Sequence, residues 1–211
     1  MSNKPEGKRT PFLIVVSAPS GAGKTSLCKR VAQRIVGLHY GISVTTRERR
    51  PGERDGRDYS FLSPEDFRKG IREGAFLEWA EVHGNLYGTP RKELDRWLAK
   101  GTDVIVDVDV QGGSSLRHLY PQGVFVFVVA PSLAAYRARL RKRGMDSPGA
   151  IACRMENARR ELAAWREYDY LIVNQELEKA TSELEAIVRV ERLRALRSRT
   201  PIVRSSPHRT G

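Results

Sequence analysis

A glycine-rich stretch near the start of the chain contains the residue types that bind a nucleoside triphosphate. Residues 18–25 read Ala-Pro-Ser-Gly-Ala-Gly-Lys-Thr and stand between an apolar run and a helical pattern, the context that a phosphate-binding P-loop requires. Backbone N–H groups of such a loop surround the phosphates, Lys24 adds a positive charge, and Thr25 offers a hydroxyl to Mg²⁺. A glycine-rich turn without a ligand is the alternative. The predicted ATP-binding residues of the loop are Ala18, Pro19, Ser20, Gly21, Ala22, Gly23, Lys24 and Thr25.

Two acidic residues follow a later apolar run. Asp107 and Asp109 are two positions apart on a predicted strand, so we expect both side chains on one face, at the carboxyl end where doubly wound sheets bind ligands. Asp107 ends the apolar run as a Walker-B acid does, and we assign it, with Thr25, to a Mg²⁺ site. A salt-bridged structural aspartate is the alternative for Asp107.

The elements that must position these residues are strands alternating with helices. Four apolar runs rich in β-branched residues predict buried parallel strands at 12–16, 104–108, 124–129 and 171–173, because such a run bounded by Gly or Pro is typical of a central strand. A helical pattern covers 24–35, directly after the P-loop. The sequence therefore predicts an α/β fold with a P-loop core and a parallel sheet.

Two stretches interrupt this alternation. Residues 42–97 contain short β-like pieces and many turn formers, which indicates a small inserted lobe. Residues 133–165 form two Arg-rich helical stretches separated by a Gly- and Pro-containing break, which indicates a helical lid. We predict one domain over 1–196, with its core at 12–41, 98–132 and 166–196, and a basic, disordered tail at 197–211.

Composition limits the class of protein. The chain has 211 residues, 40% of them hydrophobic, and a net charge of +12, which suits one compact domain with an anionic partner. Two Cys residues far apart give no disulfide or zinc pattern. The run 12–16 is too short for a signal peptide, and no stretch is long enough to span a membrane, so we expect a cytoplasmic protein without a membrane partner.

Several motifs in order resemble the guanylate kinase family. They are Ser43-Val-Thr-Thr-Arg-Glu-Arg-Arg-Pro-Gly-Glu53, Asp58-Tyr59, Phe76-Leu-Glu-Trp-Ala-Glu81, Gly84-Asn-Leu-Tyr-Gly-Thr89 and Asp107-Val-Asp-Val-Gln-Gly112. The resemblance runs from about residue 12 to about residue 194. It implies an enzyme that transfers the γ-phosphate of ATP to GMP, and also to dGMP, giving ADP and GDP in purine metabolism and GMP recycling, with Mg²⁺ as cofactor.

The resemblance also implies which residues hold GMP. Glu78 would accept the N1–H and N2–H donors of guanine, Thr89 would reach its O6 edge, and Asp109 would lie beside the base. The residues implied around the GMP phosphate are Ser43, Arg47, Arg50, Tyr59 and Tyr87, with Arg47 also catalytic. Guanidinium groups and phenol hydroxyls suit phosphate oxygens. A solvated charged loop is the alternative for residues 47–50, and an exposed helical acid is the alternative for Glu78.

In the lid, the resemblance implies that Arg143 and Arg154 contact the transferring phosphoryl group as catalytic residues, in the manner of an arginine finger. Asn174, after the last strand, would lie near the adenine of ATP, or would be only the turn residue that ends a strand. Arg137, Arg141, Lys142, Arg159 and Arg160 are interpreted as solvated charge.

Three other functions stay open at this point. The chain could phosphorylate another monophosphate, or be a non-catalytic guanylate-kinase-like binding module, although Lys24 and Thr25 favour a working P-loop. Weak nucleic-acid binding through the basic tail is a third, without aromatic residues in the tail to support base stacking. An oligomer is possible.

Overall fold

The computed structural model describes residues 9–82, 84–142 and 148–197. Its central layer is a five-stranded parallel sheet made of β1 (Leu13–Ser17), β2 (Leu38–Tyr40), β7 (Asp103–Val108), β8 (Val124–Val129) and β9 (Tyr170–Val173). Across the sheet the strands follow the order β2, β7, β1, β8, β9. The predicted α/β fold is confirmed, and each of the four predicted strands lies within one residue of an observed strand. The short edge strand β2 was not predicted.

Four helices pack on the parallel sheet, and all but the last of them lie between its strands in the chain. They are α1 (Lys24–Arg34), α3 (Arg91–Ala99), α4 (Val110–Leu119) and α7 (Leu177–Arg192). Every residue of β1 and β7 is buried, which explains why both strands read as continuous apolar runs. The carboxyl ends of β1 and β7 lie side by side, with Ser17 opposite Val108, so the P-loop and Asp107 meet at one edge of the sheet.

A second, four-stranded sheet lies within residues 44–90. Its order is β4, β3, β6, β5, and the strands are β3 (Val44–Thr45), β4 (Ser60–Phe61), β5 (Phe76–Val82) and β6 (Asn85–Pro90), with α2 (Pro64–Arg72) between β4 and β5. This sheet falls in the predicted small lobe. Glu78 belongs to β5, so the alternative that placed it on an exposed helix is wrong.

Two helices form the segment predicted as a lid, namely α5 (Leu133–Lys142) and α6 (Pro148–Glu161). Both pack on the core, because Tyr136 and Leu140 of α5 and Met155 and Ala158 of α6 are buried. A short 3₁₀ turn, Leu162–Glu167, leads from α6 to β9. Arg143 lies outside the described residues.

Two sequence predictions need correction. Asp109 does not lie on β7, which ends at Val108; its carboxylate accepts a hydrogen bond from the backbone N–H of Gly112 and caps the start of α4. Helix capping therefore decides its orientation, not strand alternation. Arg197, predicted to belong to the tail, is buried over the ring of Phe12 at 3.9 Å. The rest of that tail is outside the described residues. None of the described helices combines the length and hydrophobicity that a bilayer span requires.

Candidate active site

A cavity of about 320 Å³ opens where the P-loop, the second sheet and α6 meet. The predicted site residues that line it are Ala18, Pro19, Ser20, Gly21, Ala22, Gly23, Lys24, Thr25, Ser43, Arg47, Arg50, Tyr59, Glu78, Tyr87, Asp107, Asp109 and Arg154. Residues separated by more than a hundred positions in the sequence thus share one space. Two predicted site residues lie next to lining residues: Thr89 is hydrogen-bonded to Glu78, and Asn174 is hydrogen-bonded to Ala22 of the P-loop.

The P-loop has the backbone conformation that an anion site needs. Gly21 and Gly23 have φ angles of 95° and 89°, a left-handed conformation that residues with a Cβ rarely adopt. Helix α1 begins directly at Lys24, and no side chain caps its N-terminus. The first N–H groups of an α-helix lack intrahelical acceptors and carry the positive end of the helix dipole. This end of α1 is therefore suited to a phosphate.

Three polar side chains converge on the carboxylate of Asp107. Lys24 Nζ lies 3.9 Å from Asp107 Oδ2, while the hydroxyls of Thr25 and Tyr40 donate hydrogen bonds to its two oxygens. Burial alone would lower the pKa of Lys24, but the surrounding acidic groups, Asp107 foremost, raise it above its ordinary value. Lys24 is therefore a fixed positive charge at the mouth of the P-loop.

The P-loop is also held from behind. The side-chain amide of Asn174, at the end of β9, donates to the carbonyl oxygen of Ala22 at 2.7 Å. Arg139 of α5 donates to the same carbonyl at 3.1 Å and to the backbone oxygen of Asn174 at 2.6 Å. Asn174 is 4% exposed. These contacts fix the loop from the core and from the lid at the same time.

Arg47 and Arg50 line the opposite side of the cavity on a loop that follows β3. Both oxygens of Glu53 accept hydrogen bonds from Arg47, at 2.9 and 3.0 Å, and one also accepts from the backbone N–H of Arg50. Burial raises the pKa of Glu53, but these hydrogen bonds outweigh it, and the pKa lies below its ordinary value. An ion pair within the loop therefore orders it, which disagrees with the alternative of a solvated charged loop at residues 47–50.

Aromatic residues and a serine complete this part of the wall. The guanidinium of Arg47 lies 5.4 Å from the ring centroid of Tyr59, and the rings of Tyr59 and Tyr87 meet edge to face at 6.2 Å. Ser43 is buried at the start of the same sheet. Guanidinium, phenol and serine hydroxyl groups all bind phosphate oxygens.

The carboxylate of Glu78 lies in the cavity wall and is 8% exposed. Thr89, also buried, donates its hydroxyl to Glu78 Oε1 at 2.6 Å. Burial, and to a smaller extent the negative charge of Asp109, raises the pKa of Glu78 to about 7. A buried carboxylate with so few partners is an acceptor held ready for donors from a ligand.

The lid reaches the P-loop through α6. Arg154 Nη1 donates to Ser20 Oγ at 3.4 Å, and Glu161, seven positions later on the same helix face, also lines the cavity. Burial, followed by the charge of Asp109, raises the pKa of Glu161. Helix α6 thus carries one positive and one acidic group toward the phosphate-binding loop.

Sequence reasoning missed several residues of this site. Tyr40, Glu53, Arg139 and Glu161 contact or flank predicted site residues but were assigned no role. Helical spacing offered one signal, since Glu161 falls on the face of Arg154. For Arg139 the signal was its i, i+4 spacing from Arg143 in the predicted lid, but that spacing does not indicate its contact with Ala22, which is 117 positions away.

The sequence and structure were compared with known proteins. The sequence model of the family described as guanylate kinase matches residues 10–191. The chain is 48% identical to a guanylate kinase of Carboxydothermus hydrogenoformans over 186 residues, covering 88% of this chain and 91% of that protein. It is 44% identical to a guanylate kinase of Symbiobacterium thermophilum over 203 residues, covering 96% and 94%.

A solved structure gives the same result. The crystal structure of guanylate kinase from Anaplasma phagocytophilum superposes with a TM-score of 0.77 at 30% sequence identity, and the match covers 90% of each chain. The similarity therefore extends over most of the chain.

Proposed function

The chain belongs to the guanylate kinase family, and from that premise we propose that it transfers the γ-phosphoryl group of ATP to GMP, and also to dGMP, in purine metabolism and GMP recycling. One observation carries the proposal: the P-loop and the buried carboxylate of Glu78 line the same cavity. A triphosphate at the loop and a guanine at Glu78 would face each other across it.

On the donor side, the P-loop and Lys24 would hold the β- and γ-phosphates of ATP. The raised pKa of Lys24 keeps its amine charged at neutral pH. Asn174 was expected near the adenine, and its hydrogen bond to Ala22 supports a second role in holding the loop in shape. Precise placement of the donor phosphate matters because phosphoryl transfer depends mainly on positioning and electrostatic stabilisation.

Mg²⁺ fits the same corner of the cavity. Thr25 and Asp107 place a hydroxyl and a carboxylate side by side beside the P-loop, and oxygen ligands of this kind suit Mg²⁺, which completes its shell with substrate phosphates and water. In the described part of the chain, no three acidic, His or Cys side chains cluster as ligands. Thr25 and Asp107 would hold the ion, which when bound offsets phosphate charge.

On the acceptor side, Arg47, Arg50, Tyr59, Tyr87 and Ser43 would surround the phosphate of GMP. The pairing of Arg47 with Glu53 orders the loop before GMP arrives, which reduces the entropy lost on binding.

Base selection would depend on Glu78 and Thr89, with Asp109 beside the base. Guanine presents two adjacent N–H donors to one carboxylate, whereas adenine presents an acceptor at the equivalent position. A site built for such donors rejects a base that lacks them, because its buried polar groups would stay unpaired. When GMP binds, the hydroxyl of Thr89 can turn from Glu78 toward O6 of the base.

The transfer itself would be a direct in-line displacement. A phosphate oxygen of GMP forms a bond to the γ-phosphorus as the bond to the β,γ-bridging oxygen breaks, which gives GDP and ADP. Arg154, and Arg143 outside the described residues, would neutralise the charge on the transferring group. Contact between α6 and the P-loop supports a closed lid that excludes water and prevents ATP hydrolysis.

An ADP-release assay tests this function against its nearest rivals. The native chain and Lys24→Ala would be supplied with ATP, Mg²⁺ and one acceptor from GMP, dGMP, AMP, UMP and dTMP. We expect rapid ADP release with GMP and dGMP only, and none above background with Lys24→Ala. Equal release with every acceptor would contradict the guanine pocket, and no release with any would favour a non-catalytic binding module. The cytoplasmic location stays a prediction.

A further inference from the structure

The first turn of α4 lies unusually close to the carboxylate of Glu78. A Cβ atom added to Gly112 would stand 2.7 Å from Glu78 Oε2, 3.0 Å from its carboxyl carbon and 3.2 Å from Asp109 Oδ1. Protein Cβ atoms do not approach other heavy atoms to 2.7 Å. The backbone conformation at position 112 does not require glycine, because Gly112 is not among the glycines with a positive φ and lies inside a helix.

We propose that Gly112 is a specificity-determining residue: its missing side chain leaves the space in which the carboxylate of Glu78 faces guanine. The inference deepens the proposed function and rests on it. Glu78 Oε1 is held by Thr89, and Oε2 occupies the space that a methyl group on residue 112 would take. Before the base arrives, the position of the Glu78 carboxylate is thus set by a hydrogen bond to one oxygen and by the open space beside the other.

Close packing holds helix α4 in place. The backbone N–H of Gly112 donates to the cap residue Asp109 at 2.8 Å, and Leu116, one turn later, is fully buried. At the next position the helix is packed even more closely, because a Cβ on Gly113 would overlap the hydroxyls of Tyr168 and Ser17. A methyl group on Gly112 would therefore displace the carboxylate and leave the helix in place.

The displaced group is the end of a flexible side chain, so the fold should tolerate the substitution. Alanine is also a better helix former than glycine. The effect should consequently appear in base recognition and not in folding. This separates Gly112 from a glycine that is required only for packing.

The test compares Gly112→Ala with the native chain and with Gly149→Ala. Gly149 lies in α6, where an added Cβ would meet no atom within 4 Å, so that variant controls for a helical Gly-to-Ala change. The readouts are kcat/KM for GMP and for IMP, which lacks the 2-amino donor of guanine, and KM for ATP. IMP reports how far discrimination depends on both donors reaching one carboxylate.

For Gly112→Ala we expect kcat/KM for GMP to fall by at least about tenfold, in line with the loss of one hydrogen bond to a charged group. The GMP-to-IMP preference should fall by a similar factor, while KM for ATP stays within about twofold. Gly149→Ala should match the native chain. An unchanged GMP-to-IMP ratio in folded Gly112→Ala would overturn the inference.

Two further outcomes remain decisive. If Gly112→Ala does not fold, the double variant Gly112→Ala/Glu78→Asp, whose carboxylate is shorter by one methylene, is examined by circular dichroism and thermal unfolding. Recovery of a folded protein would identify Glu78 as the group that obstructs the methyl, and continued failure would overturn the inference. Failure of the native chain to use GMP would instead reject the proposed function.

Discussion

The wall of the cavity that carries Lys24 is built largely from backbone, whereas the wall that carries Glu78 is built from side chains. On the first, the P-loop wall (residues 18–25), the peptide groups are fixed by glycine conformations and by hydrogen bonds from Asn174 and Arg139 to one carbonyl. On the second, the acceptor wall (residues 43–89), side chains bond to one another: Arg47 to Glu53 on the loop after β3, and Thr89 of β6 to Glu78 of β5.

This difference predicts different behaviour on substitution. The shape of the P-loop wall is fixed by its glycine conformations and by contacts from the core, so a lost side chain there removes charge from every reaction of the enzyme. Side chains of the acceptor wall have partners that GMP must share or replace, such as Thr89 on Glu78 and Glu53 on Arg47. Substitutions in the acceptor wall should therefore weaken the use of GMP and leave KM for ATP unchanged.

The largest effect is expected from Lys24→Ala. Removing a positioned cation from the phosphate site should lower kcat by at least about 1000-fold. Thermal stability should change little, because among the described residues Lys24 forms one ion pair, with Asp107 at 3.9 Å. Steady-state ADP release measures the change in kcat, with the exposed Lys92→Ala as control. A loss confined to KM for GMP would show that Lys24 does not serve the donor phosphates.

Arg154→Ala should have the next largest effect. The lid arginine would act mainly in the transition state, so we expect kcat to fall by about 100-fold with KM for GMP nearly unchanged. Arg159→Ala, an exposed arginine on the same helix, provides the matched control. If both variants lost the same activity, general destabilisation of α6 would be the better explanation.

The pH dependence of kcat/KM for GMP tests Glu78 of the acceptor wall. Burial and Asp109 raise the pKa of Glu78 to about 7, and a protonated carboxyl cannot accept both guanine donors. Only about one tenth of the group is ionised one unit below its pKa, so kcat/KM for GMP should be about tenfold lower at pH 6 than at pH 8. The GMP phosphate also titrates near pH 6, which affects the native chain and the Glu78→Gln control equally. Between pH 8 and pH 6, kcat/KM for GMP should therefore fall less in Glu78→Gln than in the native chain.

The same raised pKa has a defined effect on stability. Between the ordinary value of 4.5 and about 7, folded Glu78 binds more protons than the unfolded chain does. Its contribution is therefore fully present below pH 4.5 and is lost as the pH rises through 7. Urea unfolding of the native chain and of Glu78→Gln between pH 4.5 and 7 measures this. The free energy of unfolding should fall more steeply with rising pH in the native chain than in Glu78→Gln.

The smallest effect on activity is expected from Glu53→Gln. Loss of the anionic partner leaves Arg47 less ordered, and KM for GMP should rise by about fivefold, a size typical of a partly exposed ion pair. KM for ATP should not change. Glu48→Gln, an exposed acid of the same loop, should behave as the native chain, and an equal rise in KM for ATP would contradict the separation of the two walls.

The two walls also differ in how far the sequence predicts them. The P-loop wall follows from local patterns, because strand, glycine loop and helix are consecutive and each has its own periodicity. The acceptor wall was reached only through resemblance to a family, since Arg47, Glu78 and Thr89 come from separate strands and loops without a shared local signature.

Long-range contacts set the limit of sequence reasoning here. Asp109 was predicted to lie on a strand because it follows the two-residue alternation of β7. That alternation does not show that the strand ends at Val108 and that Asp109 caps the next helix. Strand β2 has three residues, of which only Leu38 is buried, too few for a recognisable period. The closeness of Gly112 to Glu78 depends on how α4 packs beside β5, and no pattern within either segment indicates it.

The central claim is that Glu78 holds guanine in the cavity that it shares with the P-loop. Calorimetric titration of GMP into the native chain and into Glu78→Gln at pH 8, with ATP titrated separately, tests it most directly. The loss of hydrogen bonds to a charged acceptor should weaken GMP binding by about 30- to 100-fold, with ATP affinity within about twofold of native. Unchanged GMP affinity in Glu78→Gln would contradict the account.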